Sequence, residues 1–312
     1  MLLPIKLINT YREYVWGGRR LRPGDKITAE AWIVYEGNFV ASEPYLGKTL
    51  SEVAELEGAA FLGEKPISQS GLRFPLLIKL LDCNQWLSLQ VHPNDQQAQK
   101  LEGPNHFGKT EAWFVIEADA DAELISGFRT GVHEDEITTA VQEGCVLDLV
   151  DRKNVAAGDT FFVSPGMIHA LGPGLLIYEV QQTSDATYRV YDWDRPKSDG
   201  RMLHIEEAIA VLDPAATGLS VGASSIKNGW KQLVSCDHFA LDLVEGALQE
   251  ITFDTMGESF AAFTAIAGHV WVSGDGWTEE LNTFETLIIP AGCGKYRVQF
   301  EEFARALNAY VP

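Results

Sequence analysis

A weak internal repeat constrains the fold of this chain more than any other feature. Trp113-Phe-Val-Ile, Leu124-Ile-Ser-Gly and Thr160-Phe-Phe-Val-Ser-Pro-Gly-Met-Ile-His are echoed by Phe263-Thr-Ala-Ile, Val270-Trp-Val-Ser-Gly and Thr286-Leu-Ile-Ile-Pro-Ala-Gly-Cys-Gly-Lys. In both copies short β-branched and aromatic runs alternate with Gly and Pro turn signals, so each copy reads as a series of strands. Two related β-barrels are expected. Further strands are expected at 29–35, 76–81, 86–92, 111–117, 123–128, 160–163 and 175–181. Helical periodicity is confined to 50–58, 95–102, 134–144 and 204–212. The chain is therefore read as a mainly β protein of two barrels with a few peripheral helices. The Ala/Gly/Ser-rich stretch 215–225, after Asp213-Pro214, reads as a linker. It divides the chain into residues 1–214 and residues 215–312.

Composition narrows the partners. The chain has 312 residues, enough for cores that need no covalent staples. Its 44 acidic and 24 basic residues give a formal charge of −20, which disfavours nucleic acid and anionic membranes. Cys83, Cys145, Cys236 and Cys293 form no C-x-x-C pair, so neither a disulfide framework nor a thiolate metal site is indicated. The opening Met-Leu-Leu-Pro-Ile-Lys-Leu-Ile-Asn has too short an apolar run for a signal peptide, and no stretch approaches the ~18 apolar residues of a membrane span. A cytoplasmic location is expected; the pattern fixes no oligomeric state.

Chemistry concentrates in the first copy. In Trp86-Leu-Ser-Leu-Gln-Val-His-Pro, strand alternation sends Ser88, Gln90 and His92 to the face opposite Leu87, Leu89 and Val91. The same reading puts Lys109, Glu111 and Trp113 on one face, and Glu179 with Gln181 on another. Polar groups facing a barrel interior must be satisfied, since each one left unpaired costs about 1–3 kcal/mol. His169 follows a Ser-Pro-Gly turn that can aim its imidazole into the barrel mouth. Two imidazoles, one carboxylate and one amide oxygen suit one divalent, zinc-like ion held by Gln90, His92, Glu111 and His169, with a position left for water or substrate. Lys295 stands where the first copy has His169, and no second Gln-x-His pattern exists, so the C-terminal barrel is expected to hold no metal.

These residues resemble the type I mannose-6-phosphate isomerases, or phosphomannose isomerases, which are zinc-dependent members of the cupin (jelly-roll barrel) superfamily. The resemblance rests on Pro75-Leu-Leu-Ile-Lys-Leu-Leu-Asp, Leu87-Ser-Leu-Gln-Val-His-Pro-Asn-Asp, Gly108-Lys-Thr-Glu-Ala-Trp, Pro165-Gly-Met-Ile-His-Ala-Leu and the run from Glu179 to Trp193. Tyr14-Val-Trp-Gly-Gly and Ala29-Glu-Ala-Trp extend it toward the start; it weakens across the C-terminal barrel. It implies two cupin-type barrels, the same four ligands, Zn²⁺ as the ion and a sugar phosphate as substrate. It also implies that Arg189 is the active-site arginine, that Glu179 and Asp185 are acidic positions near it, and that Lys79, Ser88 and Lys109 line the pocket. The implied reaction moves a proton between C1 and C2 of mannose 6-phosphate and fructose 6-phosphate through an enediol. Glu179, Lys109 and Asp185 are the candidate proton carriers, and Trp16 is a candidate stacking platform at the pocket mouth. The short stretch from Glu111 to His169 matches the short bacterial form. Two other readings of the same residues are an iron-dependent dioxygenase, because two His and a carboxylate also suit non-haem iron, and a non-catalytic sugar-phosphate-binding protein.

Overall fold

The structure, a computed structural model, describes all residues except 1, 23, 25, 197–201, 217, 219 and 223–228. Parts of the expected linker at 215–225 therefore lie outside the described residues. The chain is mainly β, as its patterning implies, and the expected helices are present as Leu50–Glu57, Asp95–Leu101, Glu134–Glu143 and Ile205–Val211. Two begin with reciprocal capping boxes, Thr49 with Glu52 and Asn94 with Gln97, which satisfy amide donors that the first turn leaves orphaned. The short helices Ala59–Leu62 and Glu64–Ser70 were not expected, because Gly58, Gly63 and Pro66 interrupt their periodicity. No helix among the described residues is long and apolar enough to cross a membrane.

The backbone divides into two compact units, and the division is interleaved. One unit comprises Met1–Thr10, Trp32–Ile78 and Ser225–Pro312; the other comprises Tyr11–Ala31 and Lys79–Ser224. The sequence reading cut the chain once, at 214/215. Residues 1–10 instead join the unit that holds the C-terminal strands, because Ile5 and Lys6 pair in register with Ile288 and Leu287. In the same unit Lys65 N–H donates to the Glu258 carbonyl at 3.0 Å and Phe74 packs on Phe260 with ring centroids 4.5 Å apart. Such contacts between distant segments leave no periodic mark in a sequence.

In the unit that includes the C-terminal strands, a six-stranded sheet runs Ile5–Lys6, Thr286–Ile289, Ala261–Ala267, Ala304–Tyr310, Ala240–Gly246, Gly229–Ser235. A four-stranded sheet runs Gln249–Asp254, Lys295–Phe300, Val270–Gly274, Trp277–Leu281. Val244, Phe263, Leu287 and Ala306 of the first sheet and Val272, Tyr296 and Val298 of the second share one apolar core. Asp242 lies two residues before Val244 on the same face, is 3 % exposed, and has its carboxyl pushed up to about 6 by burial, which hydrogen bonds from Asn308 and Tyr310 offset only in part. A carboxyl raised from 3.8 to about 6 on folding favours the folded state only when protonated, so its destabilising effect is absent below about pH 4 and grows as pH rises through 6. Asp242→Asn is expected to stabilise the protein at pH 7 by on the order of 2–3 kcal/mol, with the gain vanishing near pH 4. Urea midpoints of both proteins across that range check it.

In the other unit, Tyr188–Tyr191, Leu89–Val91, His169–Leu171, Glu123–Phe128 and Val150–Asn154 form one five-stranded sheet. In another, Ser220–Val221, Thr160–Val163, Glu111–Ala118, Leu175–Gln182 and, from Lys79 onward, the strand Leu76–Cys83 are successive neighbours. The Trp16-Gly-Gly run is a close-approach device. A Cβ on Gly17 would lie 2.5 Å from the Ala29 nitrogen, and one on Gly18 would lie 2.3 Å from Asp82 Oδ2. Asp82 is itself held by Arg20, through the backbone N–H at 2.7 Å and the side-chain Nε at 2.8 Å.

Candidate metal centre and active site

Strand register assembles the site. Directly opposed residues of antiparallel strands project to the same face. Gln90 is opposite both Arg189 and His169, so these three side chains form a row across adjacent strands. In the other sheet, Glu111 is opposite Gln181 and Trp113 opposite Glu179. His92 follows the strand Leu89–Val91 directly. That strand is shorter than the expected 86–92, since residues 86–88 are not in it, yet Ser88 still donates to Gln90 Oε1 at 3.1 Å.

His92, Glu111 and His169 are all buried, and one donor atom from each lies within 4.8 Å of the others. Each imidazole is oriented by a backbone carbonyl. His92 Nδ1 donates to Ala186 O at 2.9 Å and His169 Nδ1 to Met167 O at 2.9 Å. A carbonyl can only accept, so the proton sits on Nδ1 in both rings and the Nε2 lone pairs face the cluster. Burial lowers both histidines, His92 to about 3 with help from the Lys109 ammonium, so both rings are neutral. Burial by itself would raise Glu111, but the Lys109 ammonium, the largest opposing influence, holds its carboxyl well below the usual range. The result is two neutral imidazoles converging with a carboxylate, the protonation states a metal ion requires.

N–H donors currently face those lone pairs. Lys109 Nζ is 2.8 Å from His92 Nε2 and bonds Glu111 Oε2, and Gln90 Nε2 is 3.2 Å from His169 Nε2. Glu111 Oε1, 3.4 Å from His169 Nε2, is buried and accepts no hydrogen bond. A carboxylate oxygen left bare at the meeting point of two oriented imidazoles is what a cation would satisfy, so the donor set fits a divalent ion.

Beneath the cluster lies a second polar chain. Lys79 Nζ is 2.7 Å from Gln181 Oε1 and 2.9 Å from Glu179 Oε2; Trp113 Nε1 donates to Glu179 Oε1 at 3.1 Å; and the Trp113 ring meets His169 edge-on at 5.4 Å. Lys79 is raised despite its burial, because Glu179 and Glu30 outweigh desolvation. Glu30 thus belongs to the electrostatic surroundings of the site.

The expected residues divide into those the structure brings together and those it does not. Gln90, His92, Lys109, Glu111 and His169 meet, with Ser88 behind Gln90, and Lys79 and Glu179 join them through Trp113. Arg189 is half-buried in register with Gln90, while Asp185 is exposed between strands. Trp16 is corrected. It is 2 % exposed and packs in a core with Ala29, Cys83 and Trp113, so it offers no face to a ligand at the pocket mouth. Stacked on it at 5.9 Å is Tyr14, 39 % exposed, whose hydroxyl is raised by burial and feels the charges of Glu30, Lys79 and Arg189. Arg129 and Arg152 are exposed, and Arg152 lies over the Trp86 ring at 5.1 Å.

A buried His–Glu–His cluster between β-sheets, with oriented imidazoles and an ammonium against it, defines the class: a β-sheet protein with an internal site able to hold a metal ion. A family model described as the catalytic domain of type I phosphomannose isomerase matches residues 4–141. A probable mannose-6-phosphate isomerase of Bacillus subtilis is 40 % identical over 225 residues, covering 68 % of this chain and 69 % of that protein. The mannose-6-phosphate isomerase of Streptococcus mutans is 40 % identical over 224 residues, 68 % of each chain. The crystal structure of mannose 6-phosphate isomerase from B. subtilis superposes with a TM-score of 0.86 at 31 % identity over 98 % of this chain and 99 % of that one. The chain belongs to the type I phosphomannose isomerase family.

Proposed function

We propose that this protein is an aldose–ketose isomerase that interconverts mannose 6-phosphate and fructose 6-phosphate and works with one divalent ion, Zn²⁺. The observation that carries the reading is the orientation of His92 and His169. Both Nδ1 atoms are tied to backbone carbonyls and both Nε2 atoms face the Glu111 carboxylate, His169 at 3.4 Å from its bare oxygen Oε1 and His92 at 3.4 Å from Oε2, in a chain of this family. His92, Glu111 and His169 would hold the ion, and Gln90 would join them through its amide oxygen, which changes places with the amide nitrogen on a flip of the last torsion. When bound, the ion supplies Lewis-acid polarisation of the sugar oxygens at C1 and C2.

The chain's own residues account for the rest. Arg189, on the same face as Gln90, lies where a fixed positive charge can stabilise negative charge developing on the substrate oxygens. Of the three candidate proton carriers, Lys109 has its nitrogen against the ligand cluster, Glu179 is tied to Lys79 and Trp113, and Asp185 is exposed. We assign the transfer of the proton between C1 and C2 to Lys109, which would act as the neutral amine, take the proton from one carbon to become the ammonium and return it to the other, and to Glu179 the positioning of Trp113 under His169. The two related β units are read as cupin-type barrels, the catalytic one in the unit of Tyr11–Ala31 and Lys79–Ser224 and the supporting one in the unit that holds the C-terminal strands. The four cysteines are free, which fits a reducing, cytoplasmic setting. In a coupled assay, mannose 6-phosphate is expected to yield fructose 6-phosphate without oxygen. Chelator should abolish the conversion and zinc should restore it. Conversion undiminished after exhaustive chelation would refute the metal-dependent mechanism, and oxygen uptake would point to the dioxygenase alternative.

A further inference from the structure

We propose that the unit containing the C-terminal strands carries a second small-molecule site, separate from the catalytic cluster, that takes an unphosphorylated sugar between the two sheets beside Asp242 and Asn308. A cavity of about 340 Å³ opens there, within the range of small-molecule sites. Asp242 and Asn308 line it from directly opposed positions on adjacent strands, 3 % and 4 % exposed, and Oδ1 of each is buried without a hydrogen-bond partner. Two unpaired acceptors at the bottom of a cavity ask for a ligand that brings donors, since each one left bare costs about 1–3 kcal/mol. An ordinary sandwich core would place apolar side chains there. This one keeps a carboxylate among Val244, Phe263 and Ala306, against its own stability, as functional sites do.

The walls narrow the ligand class. Trp230, 52 % exposed, sits near Phe253 with centroids 6.4 Å apart, and Phe253 stacks on Tyr296 at 5.5 Å and 19°. Aromatic faces suit the apolar C–H face of a sugar ring, while acceptors below take its hydroxyls. Phosphate is disfavoured, because Asp242, Asp254 and Glu258 line the cavity and Lys65, which also lines it, is 2.7 Å from Glu258 Oε2. The ligand is therefore neutral, unlike the substrate proposed for the catalytic site.

The test is calorimetric titration of the full-length protein with D-mannose and with D-glucose, in saturating mannose 6-phosphate so that the catalytic pocket is filled. Saturable binding of either sugar is expected, weakened about tenfold or more by Trp230→Ala and by Asp242→Asn, with isomerase turnover unchanged in both. Trp230 is half-exposed and Asp242→Asn relieves a buried charge, so neither variant should fail to fold. Absence of saturable binding up to about 100 mM, or binding that both variants leave untouched, overturns the proposal.

Discussion

His169→Ala is expected to remove the bound metal and reduce isomerase turnover by at least about a hundredfold, since changes even to the outer partners of metal ligands cost about 10–100-fold. The ring is fully buried, its Nδ1 is spent on Met167 O, and its Nε2 stands 3.4 Å from the bare oxygen of Glu111. No neighbour can substitute for it, because the other ring of the cluster, His92, already has its own place at 4.7 Å between centroids. The fold should survive, since the strand His169–Leu171 keeps its backbone pairing with Glu123–Phe128. Elemental analysis, a cooperative melting curve and kcat together check this. A variant that retains one equivalent of metal and wild-type turnover would contradict the assignment.

The second large effect is on stability. Lys79→Met leaves Glu179 buried, 5 % exposed, without the ammonium 2.9 Å away, and removing one member of a buried ion pair costs about 3–5 kcal/mol. Trp113 remains as a neutral donor to Glu179 but cannot neutralise it. Adding Glu179→Gln should recover much of the loss, because the double variant buries no unpaired charge. Urea denaturation of the two single variants and the double one gives the coupling. Additive losses would mean that the pair does not act as one.

Much of this site was legible in the sequence because strand geometry is simple. Alternation alone placed Gln90 with His92, Lys109 with Glu111, and Glu179 with Gln181, and the structure keeps each pair on one side. The Pro-Gly turn before His169 signalled a residue aimed inward at a strand start. Other features had no local signature. The orienting carbonyls of Met167 and Ala186 are backbone atoms that any residue could supply. The burial of Trp16 had no signature either, because it lies in a turn, where the period of two is lost. The polar pair Asp242 and Asn308 is brought together only by the register between Ala240–Gly246 and Ala304–Tyr310.

The most direct measurement is a crystal structure of zinc-loaded protein with anomalous data collected on both sides of the zinc absorption edge. A single strong peak about 2.0–2.2 Å from His92 Nε2, His169 Nε2 and a Glu111 oxygen, with Lys109 Nζ moved off His92, is the expected result. A peak elsewhere, or none at this cluster while the protein turns over substrate, would contradict the metal centre described here.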